Sequence, residues 1–371
     1  MIVLTEEQAM LRDMAKAWVA DRAPVTALRA VRAAHAASGY DPALYAEMAE
    51  MGWASILVPE QHGGVGMDLT SLGLIAEELG RTLTASPLLP SAVGAVSALL
   101  LSDNAAAQEA WLPALASGST IAALLIDEGA HHRPYPVHTL ARQDGEGWSL
   151  SGSKRSAPEA VAADLLILSA RIEGTDDIVL FACPADAPGL ARTALNRIDS
   201  RGAADIVLDG VRVGPDARLG TGATYIDAVL DRMRAALAAE MLGGAVQAFE
   251  TTIDYLKTRV QFDHPIGSFQ ALQHRAADML GELQLARSAV YAALVAIDEG
   301  SGEAPALASL AKAMAGDCFR AMAREMIQMH GGIGMTDEHD AGLYLKRAQV
   351  ADMTLGNAAF HRERYARFLN I

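Results

Sequence analysis

Apolar residues recur at steps of three and four over most of this chain, and that spacing predicts helices. Thr5 and Gln8 stand at capping-box distance and open the first. The stretch Tyr40 to Trp53 repeats the period and runs into Ile56-Leu57-Val58-Pro59 and the glycine loop Gly63-Gly64-Val65-Gly66. A second strong helix carries Glu77-Glu78-Leu79-Gly80. From about 119 to 215 the period shifts towards two. Ile121 to Ile126, Trp148 to Gly152, Asp164 to Ala170, Asp177 to Ala182 and Asp205 to Leu208 read as strands, punctuated by glycine, proline and aspartate. Helices then return. Val229, Met233, Leu237, Met241, Ala245, Phe249, Ile253 and Leu256 line one face of a helix from Tyr225 to Thr258, about 51 Å long at about 1.5 Å per residue. Leu272 to Asp298 and Ala306 to Met329 follow, with Pro305 suited to a first helical turn. The expected fold is α+β in three domains: helical over 1–118, a β domain over 119–215, and a helical bundle over 216–371. That bundle is expected to bury Leu237, Met241, Phe249, Leu280 and Leu283.

Composition agrees with helices. Of the 371 residues 51% are hydrophobic, much of that Ala, Leu and Met, while only 5% are aromatic. A formal net charge of -15 argues against nucleic acid as a partner, because phosphate binding needs clustered Lys and Arg. Cys183 and Cys318 lie far apart in apolar surroundings and read as buried free thiols in a reducing cytoplasm. Neither a signal-peptide pattern nor an uninterrupted apolar run of about 18 residues is visible, so no membrane span is expected.

The chemistry-bearing stretches narrow the choices. Gly63-Gly64-Val65-Gly66 and Gly331-Gly332-Ile333-Gly334 are glycine-rich, yet neither is a G-x-G-x-x-G following a strand, so a Rossmann domain is not expected. Each suits a helix-ending turn that needs positive φ. The histidines do not fall at metal-ligand spacing, and no nucleophile elbow is present. The junction Tyr255 to Gln270 offers Arg259 for a phosphate, Gln261 and Gln270 as amides, and Phe262 and Phe269 as stacking surfaces. From the residues alone it is equally an interhelix turn with an exposed arginine.

These same stretches resemble the acyl-CoA dehydrogenase family over essentially the whole chain. The likeness rests on Leu4 to Gln8, Gly52-Trp53, Pro59-Glu60, the first glycine loop and Glu77 to Arg81. It is carried most specifically by Arg259-Val260-Gln261-Phe262-Asp263-His264-Pro265-Ile266 with Phe269-Gln270, and by Gln328-Met329-His330-Gly331-Gly332-Ile333-Gly334. The resemblance implies an N-terminal helical domain, a β-barrel-like middle domain and a C-terminal four-helix bundle. It implies FAD-dependent conversion of an acyl-CoA to the trans-2-enoyl-CoA, with electrons passing to an electron-transfer flavoprotein. It implies a FAD shared across a subunit interface in a dimer or tetramer. Arg259, Gln261, Phe262, Ile266, Phe269, Gln270, Gln328, Gly331 and Gly332 would touch that FAD, and Arg234 would lie near the thioester.

The sequence also departs from the family. Its members carry a glutamate base at one of two positions, and here those are Leu355 and Met233, neither of which accepts a proton. The family's Thr-Glu-Pro passage reads Asp127-Glu128-Gly129. Ser156 and Pro158 stand where a flavin-facing tryptophan and threonine are usual. The first expectation is therefore a subunit without a base, in a heteromer with a glutamate-bearing partner. The others are a homomeric enzyme with a displaced carboxylate (Asp231, Glu240, Glu338 or Asp340) and an inert binding or scaffold homologue.

Overall fold

The computed structural model describes residues 4–36 and 38–371. The first helices are α1 (Glu6–Arg22), α2 (Val25–Ala33), α3 (Pro42–Glu50), α4 (Leu69–Arg81), α5 (Val96–Leu100) and α6 (Ala105–Ala116). The strands follow: β1 (Ala122–Leu125), β2 (Leu140–Asp144), β3 (Gly147–Pro158), β4 (Leu165–Ile172), β5 (Ile178–Pro184), β6 (Leu190–Ala194), β7 (Ala203–Val213) and β8 (Arg218–Thr221). Then come α7 (Ala223–Thr258), the two-residue strands β9 (Val260–Gln261) and β10 (His264–Pro265), α8 (Gln270–Asp298), α9 (Ala304–His330), α10 (Ala341–Met353) and α11 (Ala358–Phe368). The α1 capping box forms: Gln8 N donates to Thr5 Oγ1 at 3.1 Å and Thr5 N donates to Gln8 Oε1 at 3.2 Å.

By contact the chain falls into two compact units, one of Leu28–Leu72 with Ala85–Met233, the other of Met1–Ala27, Gly73–Thr84 and Arg234–Ile371. The first unit holds a mixed sheet of order β6-β7-β3-β2-β4-β5-β8, with β1 also paired to β4. β1 and β2 run parallel to β4, and the remaining pairs are antiparallel. β4 lies inside the sheet and is buried from Leu165 to Ala170, as its apolar run, interrupted only by Ser169, requires. Leu150, Leu168, Phe181, Ile206 and Val211 pack in its core. The short strands β2, β6 and β8 carry too few apolar residues to show an alternation, and periodicity does not reveal them.

In the second unit α9 packs against α8, α10 and α11. Leu237, Met241 and Leu283 are buried as expected and Phe249 is half-buried. Leu280 is not buried: it is 44% exposed. The inward stripe of α8 runs through Met279, Leu283, Ala286, Val290 and Leu294, and Leu280 sits about 100° round the helix from Met279. By length and composition α8 is apolar enough to cross a membrane, although charged and polar residues interrupt its apolar run. In this structure its stripe is covered by the bundle.

α4 and α7 cross with glycine against backbone. A Cβ at Gly80 would overlap the Glu240 carbonyl oxygen, and one at Gly243 would overlap that of Glu77. Backbone cannot yield as a side-chain tip can, so the crossing needs glycine on both helices. Gly243→Ala is expected to destabilise the protein by about 3 kcal/mol, as overpacking does, measured by urea unfolding with the m-value unchanged.

Candidate functional site

The junction after α7 is a two-residue hairpin. Val260 pairs with Pro265 and Gln261 with His264. Phe262 and Asp263, at its tip, have φ of +55° and +62°. Two positive φ angles are what this hairpin length demands, usually met by Asn-Gly. A bulky phenylalanine there is a genuine outlier, and such strain clusters at functional sites. The ring is 84% exposed and meets Phe269 edge-on at 6.2 Å. Arg259, Gln261, Phe269 and Gln270 are exposed beside it, and Ile266 is half-buried. Ile266 N donates to Arg259 O at 2.8 Å and closes the junction.

The second glycine loop ends α9. Gly331 takes φ +65° and ψ -137°, a backbone that side chains of L-residues rarely adopt. Gly331, Gly332 and Gln328 are exposed, with open space where a Cβ would stand on either glycine. The buried His330 ring stacks on Tyr255 at 4.2 Å and meets His339 at 4.3 Å. Burial pushes the His330 pKa down, helped by His339 and opposed by its bond to Met326 O, so the ring is neutral near pH 7. Tyr255 Oη also donates to His330 O at 3.4 Å. The two signature segments, about 60 residues apart in sequence, are thereby clamped together at neighbouring helix ends.

The turn between α10 and α11 carries Leu355 at φ +58° and Gly356 at φ +101°. A left-handed leucine costs about 1–2 kcal/mol. Its backbone is bonded from within: Lys312 Nζ donates to Asp352 O and Gly356 O, both at 3.0 Å, and His361 Nε2 donates to Leu355 O at 3.0 Å. Burial pushes the Lys312 pKa down to about 7, with Asp352 opposing. Burial, then Arg234 and Lys312, push His361 far down, so it stays neutral. Arg234 is fully buried, its guanidinium 5.9 Å from the Phe360 ring centre, and is not a solvated surface arginine.

Of the carboxylates considered as displaced bases, Glu240 is buried 3.6 Å from Arg347. Asp231 is buried, Glu338 is exposed, and Asp340 is half-buried at the start of α10. Asp231 and Glu240 are therefore not helix-surface charges. Met233 is buried too, its sulfur 3.3 Å from where a Cβ on Gly94 would lie.

In the sheet unit, Glu128 and Lys154 form a pair that sequence reading missed, because nothing in Gly152-Ser153-Lys154 signals burial. Lys154 Nζ lies 2.8 Å from Glu128 and 2.9 Å from Ser169 Oγ, with no exposure. Glu128 also accepts from His138 N, Thr139 N and Thr139 Oγ1 at 2.6–2.9 Å. Burial pushes Lys154 down to about 8 despite Glu128. Burial also opposes the Glu128 charge, but Lys154 and the Thr139 bonds outweigh it and hold the carboxyl at about 2. Asp127 accepts from Arg133 N at 2.9 Å and pairs with His132 at 3.0 Å, folding the loop onto itself. Ser156 is exposed at φ +49° on a bulge of β3, its N donating to Asp205, and Pro158 is half-buried beside Ala203.

Two family models match this chain, "Acyl-CoA dehydrogenase, N-terminal domain" over residues 5–119 and "Acyl-CoA dehydrogenase, C-terminal domain" over 220–370. The chain belongs to the acyl-CoA dehydrogenase family. It is 34% identical over 348 residues to acyl-CoA dehydrogenase IpdE2 of Mycobacterium tuberculosis, covering 92% of this chain and 91% of the relative. Among solved structures it resembles a chain of a steroid ACAD variant of Tcur3481–Tcur3483, with TM-score 0.89, 31% identity and 98% of each chain covered. It also resembles a chain of the ChsE4–ChsE5 complex of Mycobacterium tuberculosis, with TM-score 0.90 and 25% identity over 99% of this chain and 98% of that one. The family is one of flavin-dependent oxidoreductases acting on acyl-CoA, and the expected three-part fold is the family's.

Two outcomes test the buried pair. Lys154→Met leaves a carboxylate facing no cation and is expected to destabilise by about 3 kcal/mol or more, read by chemical unfolding at pH 7. The Glu128 carboxyl has a folded pKa of about 2 against an ordinary value of 4.5. Its stabilisation is therefore present above pH 4.5 and lost as pH falls towards 2. The margin of the parent over Glu128→Gln should shrink across that window in pH-dependent melting curves.

Proposed function

We propose that this chain is one subunit of a FAD-dependent acyl-CoA dehydrogenase, that it lends its C-terminal signature to a FAD completed by another subunit, and that it supplies no catalytic base. The observation that carries the reading is the exposed, strained hairpin clamped beside the Gly331 loop by Tyr255 and His330. Its groups suit a dinucleotide-like cofactor. Arg259 is always charged and forks onto phosphate oxygens. Phe262 and Phe269 offer aromatic faces to an adenine, Gln261, Gln270 and Gln328 offer amides, and Ile266 closes the floor. Gly331 and Gly332 let a ligand approach backbone, since no side chain stands there. A phosphate-binding arginine beside stacking rings favours FAD over a smaller flavin. Bound flavin supplies the hydride acceptor for α,β-dehydrogenation of an acyl-CoA thioester to the trans-2-enoyl-CoA. Arg234 is the substrate-side cation, set inside the protein behind Phe360.

Leu355 and Met233 cannot take the Cα proton. The small, exposed Ser156 makes no aromatic wall for a flavin ring. Both relations favour a heteromer whose other subunit carries the glutamate, and two of the similar structures are of paired proteins. In this reading the enzyme is cytoplasmic, the electron acceptor is an electron-transfer flavoprotein, and the divisions at 118 and 215 are domain boundaries.

Purified alone and supplied with FAD, the chain is expected to show dye reduction with acyl-CoAs about 10²- to 10⁴-fold below a base-bearing enzyme. Co-expression with a glutamate-bearing partner should restore turnover with about one FAD per unlike pair. Robust turnover alone at one FAD per chain would instead establish a homomeric enzyme. No flavin in any assembly would leave the inert homologue. Arg259→Ala should lower flavin occupancy of the assembly without changing its melting curve in the flavin-free form; unchanged occupancy would remove the arginine from the site.

A further inference from the structure

The turn Thr354 to Asn357 is held more firmly than a helix connection requires. Two consecutive left-handed residues, Leu355 and Gly356, persist only where the surroundings over-determine the backbone. Five hydrogen bonds among three elements do this. Lys312 from α9 reaches Asp352 O and Gly356 O, and His361 from α11 reaches Leu355 O. The Asp352 side chain accepts from Ala358 N at 3.1 Å and from Arg320 at 2.9 Å. A Cβ on Gly356 would lie 2.5 Å from Phe360 and 3.0 Å from His361 Nε2, so the rings of α11 press on the turn as well.

None of these bonds involves the side chain of residue 355. Leu355 O can only accept, so His361 carries its proton on Nε2, and Nδ1 has no hydrogen-bond partner. Lys312 is wholly buried, and the acceptors at hydrogen-bond distance are two carbonyl oxygens. Burying a lysine amine to donate to two carbonyls is a costly way to close a turn, one that a glycine and an N-capping asparagine could close unaided.

We propose that Lys312 and His361 are positioning residues, which fix the backbone of this turn so that the side chain at 355 keeps one direction whatever its chemistry. The mount for a proton acceptor is present, although a leucine stands on it. That 355 is the base position rests on the function proposed above; the cradle is independent of it.

Amide hydrogen exchange of the full-length chain in its flavin-loaded assembly tests the cradle, read at Ala358 and Phe360, whose amides bond Asp352 and Asn357. Lys312→Met and His361→Ala should each speed exchange there by at least about tenfold. His361→Gln, whose amide can still donate to Leu355 O, should restore most of the protection. Leu355→Glu should leave it as in the parent. Exchange within about twofold of the parent in both His361→Ala and Lys312→Met overturns the proposal, as does lost protection in Leu355→Glu. If Lys312→Met fails to fold, the two His361 variants decide.

Turnover adds a readout that a merely structural role would not move. Leu355→Glu should raise acyl-CoA-dependent dye reduction by about 10²-fold in the chain purified alone and supplied with FAD, where no partner glutamate contributes, as a positioned base does. The gain should vanish when His361→Ala is added and survive His361→Gln. A protected turn in Leu355→Glu with no gain would fault the base assignment and leave the cradle standing.

Discussion

Where α4 crosses α7, Gly80 faces the carbonyl of Glu240 and Gly243 that of Glu77. No side chain separates the two backbones, so the crossing has almost no freedom to slide. Groups around it are tied to it: Tyr344 of α10 donates to Arg81 O, Arg81 pairs with Glu250 and lies 3.6 Å from Glu78, and Arg347 lies 3.6 Å from Glu240. α7 is therefore anchored along its length. Its far end carries Tyr255, which holds His330 and the end of α9. The position of the exposed hairpin thus descends from Gly243 on the helix that leads into it and from Gly80 on α4, far from it in sequence.

Several ionisable groups inside the protein hold irregular backbone. Lys154 and Glu128 tie together the end of β1, the start of β2, β3 and β4. Glu159 and Arg201 pair at 2.8 Å with almost no exposure, and Arg201 also donates to Ser86 O at 2.8 Å. Lys312 and His361 do the same for the turn after α10. Each position costs desolvation, and each compensates by satisfying several carbonyls or amides that apolar residues would leave bare. The unequal treatment of the two candidate faces follows. The C-terminal face presents strained, exposed, recognition-type groups. In the sheet unit, Asp127 bonds its own loop, Glu128 is taken up by Lys154 and Thr139, and the bulge at Ser156 carries no ring.

Much of this was legible in the chain itself. Long helices follow from apolar spacing, since a stripe repeated over eight or more turns has no alternative burial. The Thr5 capping box and Gly331 as a helix end are local, and they formed as local rules require. Interior strands with long apolar runs were equally plain. Leu280 was misplaced because the step of four from one apolar residue can fall beside the stripe rather than on it. The short strands β2, β6 and β8 carry too little pattern to register. The hairpin β9–β10 carries no sequence signal of its own, because its turn residues, Phe-Asp, are not those that hairpins favour.

The candidate site divides on the same line. The sequence by itself determined which residue types are available: Arg259, the paired phenylalanines, the open glycines, and a leucine and a methionine where a carboxylate is expected. Only the tertiary structure decided which are exposed together, that Arg234 and Glu240 are buried, and that Lys312 and His361 hold the Leu355 turn. The physical reason is that burial and clustering are properties of long-range packing. A lysine on a helix reads the same in sequence whether it meets water or the carbonyls of a turn forty residues away.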